Sequence, residues 1–162
     1  MKKINKDEIS VEEWHNLEKR VVIEGYMINC MALVENLGSK GTIDALRPHA
    51  RNSGNAFTIN MQKMFKIEGS NIEKIAMTSQ LWDMLTNASL VDQDIQVNSD
   101  KIIRAGFLDC AFKSAPIEVC MWHQMLINGI CEAIDPEFEC RFMQMLPNGD
   151  PMCSYIIEKK KK

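Results

Sequence analysis

Three observations predict an α+β fold, with N-terminal helices packed on a C-terminal antiparallel sheet of hairpins and one long helix between them. Two Ser-x-x-Glu capping boxes, Ser10 with Glu13 and Ser70 with Glu73, each precede a run of helical periodicity. From Ile95 onward the apolar period shortens to two. Pro147-Asn148-Gly149-Asp150 is a strong hairpin-turn signal. Helices first and hairpins later is the α+β order.

The first helix is expected over about 11–37. Trp14, Leu17, Val21, Tyr26, Met27, Cys30, Leu33 and Leu37 recur at near-helical spacing, and Gly38 suits a C′ stop. It is apolar on more than one side, so it suits a central position or a subunit interface. Thr42 can cap a second helix carrying Ile43 and Leu46, which Pro48 should kink or end. Helix is expected again from about 54, with Phe57, Met61, Met64 and Phe65 on one stripe and Gly69 as the stop. Ile72, Ile75, Ala76, Leu81, Trp82 and Leu85 mark the next helix.

Ile95 and Val97, then Ile103, Ala105 and Phe107, alternate around the turn-like Asn98-Ser99-Asp100, which predicts a hairpin. Pro116 opens a helix that runs to about 133 and halts before Asp135-Pro136. In the last hairpin, Asn148-Gly149 at the tip would pair Phe142 with Tyr155 and Gln144 with Cys153. Cys140, Phe142, Gln144, Cys153, Tyr155 and Ile157 would then share the helix-covered face.

The whole of 1–162 reads as one domain, with 1–9 and 159–162 expected to fray. Hydrophobic residues make up 46% of the chain, enough to bury a core. The formal net charge of -3 creates no field that favours nucleic acid. No run of about 18 apolar residues suggests a membrane span, and residues 1–8 show no secretory h-region. A cytoplasmic location follows as the expectation, with the six cysteines as thiols or metal ligands rather than bridges. Twelve methionines suit a pliable interior, or plain core packing. GxGxxG, P-loop, GxSxG and HExxH motifs are all absent.

Two constellations could carry chemistry. Cys110, Cys120 and Cys153 could converge if the sheet packs under the helix that opens at Pro116. Thiolates suit zinc or another soft metal. Cys120 alone could instead act as a nucleophile near a helix start, with His123 three residues on as base and Glu118 or Asp150 orienting it. The alternative to both is small buried hydrophobes. The second constellation is Arg47-Pro48-His49-Ala50-Arg51-Asn52-Ser53-Gly54-Asn55. Here Arg47, His49, Arg51 and Asn55 could hold a substrate carboxylate, or form a solvated joint between helices.

Around these residues lies a family pattern. It comprises Gly106, Cys110-Ala111-Phe112, Pro116 with Glu118 and Cys120, Gly129, Ile134-Asp135-Pro136, and Gly149-Asp150-Pro151-Met152-Cys153-Ser154-Tyr155. A weaker echo falls at Leu46-Arg47-Pro48 and Gly54. This resembles the L-2-amino-thiazoline-4-carboxylic acid hydrolase family over about 100–158. The closing Gly-Asp-x-x-Cys-x-Tyr is also similar to 4-vinyl reductase-type small-molecule-binding domains, which share a fold with a Golgi-trafficking complex subunit. The first resemblance implies hydrolytic opening of a cyclic amidine, by metal-activated water or by Cys120, in a homodimer. The second implies a non-catalytic domain that binds or senses a small molecule.

Overall fold

A computed structural model describes residues 10–86, 94–107, 112 and 114–161. Helix α1 runs Val11–Met64, α2 Asn71–Thr86 and α3 Ile117–Ile134. Strands β1 Asp94–Val97, β2 Lys101–Phe107, β3 Phe138–Gln144 and β4 Cys153–Lys159 form one antiparallel sheet in the order β1-β2-β4-β3. The α+β architecture is as the sequence predicts.

Glycine breaks the long first helix where expected. Gly38 has φ 68° and ψ 171°, a conformation that side-chain-bearing residues avoid. Helix resumes at once and continues through Pro48 to Met64, so the helix does not end at Pro48. The reason is tertiary. Pro48 sits on the exposed side, where water can reach the Asp44 carbonyl that loses its amide partner. The opposite face carries buried Thr42, Ala50, Gly54 and Thr58, four or eight residues apart, and it is clamped against α3. A Cβ on Gly54 would lie 2.0 Å from the Leu126 carbonyl oxygen, and one on Gly129 would lie 2.2 Å from the Arg51 carbonyl oxygen. Each glycine thus lets the other helix's backbone approach.

The second capping box forms as expected. The Ser70 amide donates to Glu73 Oε2 at 2.8 Å and the Ser70 hydroxyl to the same oxygen at 2.7 Å. Gly69 before it has φ 115°. From this start α2 buries Ile72, Ile75, Ala76, Ser79 and Asp83 along one stripe.

Pairing in the sheet sets two rows of side chains toward α2 and α3. Ile102, Ile157 and Cys140 are cross-strand partners in one row, and Arg104, Tyr155 and Phe142 in the next. The first row joins Ile75, Leu126, Ile127 and Ile130 in the core. The inward face of β2 therefore carries Ile102 and Arg104, not the Ile103 and Ala105 set whose alternation marks the strand.

The edge strand β3 is closed by amides from α3. Asn128 accepts from the Cys140 amide at 2.7 Å and donates to the Cys140 carbonyl at 3.2 Å, while Gln124 accepts from the Phe142 amide at 2.9 Å. These bonds occupy polar groups that an open edge would offer to another chain.

The last turn is looser than a two-residue tip. Leu146–Asn148 form a 3-10 turn, Gly149 takes φ 85°, and the Asp150 carboxylate accepts from the Met145 amide at 2.8 Å. Phe142 does pair with Tyr155, but a register shift then pairs Gln144 with Ser154 rather than Cys153. The basic end does not wholly fray either: Lys159 ends β4, and the Lys160 amide donates to the Glu137 carbonyl at 2.7 Å. Residues 1–9 lie outside the described residues.

Candidate functional site

Where the Arg104–Tyr155–Phe142 row meets the ends of α2 and the first half of α3, the core becomes charged. Asp83 and Arg104 are both 0% exposed, and Arg104 Nη2 lies 2.9 Å from Asp83 Oδ2. The Tyr155 hydroxyl donates to the same oxygen at 2.8 Å. The other carboxylate oxygen, Oδ1, lies 3.3 Å from His123 Nε2, and the His123 side chain keeps 15% of its surface exposed. Arg104 Cζ also sits 5.8 Å from the Tyr155 ring centroid.

Each partner comes from a different element: Asp83 from α2, Arg104 from β2, His123 from α3 and Tyr155 from β4. Burying one charge alone would be prohibitive, so the carboxylate and guanidinium must be brought in together. Burial pushes the Tyr155 hydroxyl well above its ordinary value and the neighbouring Asp83 charge adds to this, so Tyr155 stays a donor.

Aromatic rings surround the histidine. Trp82, Phe142 and Tyr155 lie 6.3, 5.8 and 6.3 Å from the His123 ring, centroid to centroid. Trp82 continues the set to Phe57 at 5.3 Å and to Trp122 at 5.9 Å, and Trp122 meets Tyr26 at 4.9 Å. Phe57, Trp82, Trp122, His123 and Phe142 are only half-buried. The arrangement is a rim of edge-to-face and tilted rings over a floor built on the Asp83–Arg104 pair.

The residues singled out from the sequence fall in four places. His123 is in this site, but the carboxylate facing it is Asp83 rather than Glu118 or Asp150. Glu118 is buried near Cys30, whose thiol is raised by burial and then by the Glu118 charge. Cys120 is buried one turn before His123 on α3, at helical-neighbour spacing. Cys153 lies under the last turn, where its sulfur accepts from the Leu146 amide at 3.2 Å, and burial pushes its thiol up.

Cys110 lies outside the described residues. Among those described, no three His, Cys, Asp or Glu side chains form a group that could hold a metal ion. The described donors therefore do not by themselves fit the expected zinc site. Cys131, pushed up to about 12 by burial, and Cys140, pushed well above its usual value, are core thiols.

Arg47, His49, Arg51 and Asn55 all point to the exposed side of α1. Arg47 pairs with Asp44 at 3.4 Å and Arg51 with Glu132 at 3.2 Å. They do not converge on the aromatic site.

Sequence reasoning missed Asp83 and Arg104. A signal for each was present: Asp83 continues the stripe Ile72, Ala76, Ser79, and Arg104 stands two residues from Ile102. Gln124 and Asn128 were missed as well.

No family model matches the chain, and no curated protein matches it. Several solved structures share its fold, among them two of different kinds. A trafficking protein particle complex subunit 3 from Naegleria fowleri, covalently bound to palmitic acid, superposes with a TM-score of 0.65 at 10% identity, over 90% of this chain and 97% of that one. The phenol-responsive sensory domain of the transcription activator PoxR, solved with phenol, gives a TM-score of 0.64 at 12% identity, over 85% and 74%. At these identities the likeness is one of fold.

Proposed function

We propose that the chain is a small-molecule-binding domain of the sensory kind, whose ligand is a small aromatic or other compact apolar molecule seated against His123. The observation that carries this reading is the ring set of half-buried Trp82 and Phe142 with buried Tyr155 around a histidine that keeps 15% of its side-chain surface exposed. Rings supply apolar area and the histidine supplies one polar contact, the composition expected of a small-ligand site. The phenol bound to the PoxR domain supports a ring-bearing ligand, and the palmitic acid on the trafficking subunit supports an apolar one.

The cyclic-amidine hydrolase reading is supported less. His123 faces a carboxylate already engaged by Arg104, and the thiols of Cys131, Cys140 and Cys153 are held protonated by burial. Isothermal titration with phenol and indole, run beside a turnover assay on aminothiazoline carboxylate, separates the two. Saturable aromatic binding without turnover is expected. Turnover that Cys120→Ala abolishes at unchanged melting temperature would establish the hydrolase instead.

A homodimer belongs to the same proposal. Val21, Ile28, Met31 and Leu37 leave apolar surface exposed on the first part of α1. Light scattering should give about twice the 18.5 kDa chain mass; a monomer at tens of micromolar would remove the dimer.

A further inference from the structure

We infer that Asp83 is a positioning residue that fixes His123 as the Nε2–H tautomer, so that the site takes a neutral ligand donating a hydrogen bond to Nδ1. This rests on the reading of the aromatic site as a ligand site and specifies the ligand's polarity. Phenols and N–H heteroaromatics have that polarity. Their methyl ethers and anionic acids do not.

Three observations carry the inference. First, Nε2 is buried and lies 3.3 Å from Asp83 Oδ1, a contact short of a well-aligned hydrogen bond. An unprotonated Nε2 would set its lone pair against a carboxylate lone pair in a dry site. The proton therefore belongs on Nε2, and neutral imidazole then leaves Nδ1 as an acceptor.

Second, the charge at this point is already balanced. Arg104 Nη2 and the Tyr155 hydroxyl both engage Oδ2 of Asp83, and neither Asp83 nor Arg104 is exposed. Among the described residues, the groups facing His123 from α2, β2 and β4 are Asp83, Arg104 and Tyr155, and the neighbouring rings of Trp82 and Phe142 carry no charge. With carboxylate and guanidinium paired to each other, these groups offer an anionic ligand no unmatched counter-charge.

Third, no protein group among the described residues hydrogen-bonds Nδ1, although the ring retains 15% exposure. The half-buried rings beside it leave a ligand's donor as its partner. A site built around a single acceptor discriminates strongly against an analogue without the donor, because that acceptor is then desolvated and unpaired.

The experiment has two readouts on the full chain. Long-range proton–nitrogen correlation on 15N-labelled protein, assigned by comparison with His123→Gln, reports the tautomer directly. The Nε2–H form is expected at neutral pH; an Nδ1–H form or an imidazolium overturns the inference. Titration with phenol, anisole and benzoate reports the polarity. Phenol should bind about tenfold or more tightly than anisole, with benzoate weaker still. Equal binding of phenol and anisole, or a preference for benzoate, overturns the inference and leaves the ligand site standing. No binding of any of the three removes both. Asp83→Asn should move the proton to Nδ1 and abolish the preference for phenol; because that substitution also breaks a buried ion pair, the wild-type tautomer is the deciding observation.

Discussion

Two places where elements converge show opposite solutions to close packing. At the α1–α3 crossing, Gly54 and Gly129 bring backbone against backbone, while Arg47 and Arg51 turn outward to Asp44 and Glu132. At the sheet, Arg104, Tyr155 and His123 turn inward around the Asp83 carboxylate. The first is rigid because nothing fits between the helices. The second is polar inside and ringed by half-buried aromatics, so it retains a surface a ligand can use. A polar stretch in a sequence therefore need not be a site, and a charged residue on an apolar stripe is the stronger sign of one.

The sharpest way to break this contrast is to unbalance the inward site. Arg104→Met leaves the Asp83 carboxylate buried without its counter-charge and should cost on the order of 3–5 kcal/mol of stability. Urea unfolding measures this, and the double variant Asp83→Leu with Arg104→Met should recover much of the loss. A single-variant cost under about 1 kcal/mol would show that water reaches the pair.

Next in size is the crossing. Gly129→Ala puts a methyl group into the Arg51 backbone and should cost about 3 kcal/mol, read by the same unfolding curves. Tyr155→Phe removes one hydrogen bond to the carboxylate and should cost about 2 kcal/mol. Its effect should be strongly non-additive with Arg104→Met, since both donors serve the same oxygen. Arg51→Ala removes only a solvent-exposed ion pair and should change stability by less than about 0.5 kcal/mol.

The capping box gives the smallest effect and a pH signature. Two hydrogen bonds from Ser70 hold the Glu73 carboxyl below its ordinary value. A folded-state value below the unfolded one adds stability at neutral pH that is lost as the pH falls through the folded-state value. Ser70→Ala should therefore lower the melting temperature slightly at pH 7 and by less as the pH falls through the folded-state value. An equal shift at every pH would assign the effect to helix propensity instead.

Much of the fold was legible because it is written locally. Ser70 with Glu73, Gly38, Gly69 and Pro116 act within a few residues, and the pairing of Phe142 with Tyr155 follows from a turn signal beside it. The continuation of helix through Pro48 was not legible, because packing of Ala50, Gly54 and Thr58 on α3 overrides a local preference. The register shift before Ser154 was hidden for a similar reason: the 3-10 turn at Leu146–Asn148 is held by Asp150 and Cys153 from outside the tip.

The candidate site was half legible. His123 stood out by residue type, and Tyr155 by its place in the Gly-Asp-x-x-Cys-x-Tyr pattern. Asp83 and Arg104 are sixteen positions or more from either and from each other. Each looks like a surface charge until the other is placed beside it.

The most direct test of the account is calorimetric titration of phenol into wild type, Trp82→Leu and the double variant Arg47→Ala with Arg51→Ala, each confirmed folded by its thermal transition. The account predicts that phenol binds the wild type and the arginine variant with affinities within about twofold. Trp82→Leu, which removes a ring from the rim, should weaken binding about tenfold. Unchanged affinity in Trp82→Leu would contradict the account, and so would its loss in the arginine variant, which would place the ligand at the exposed side of α1.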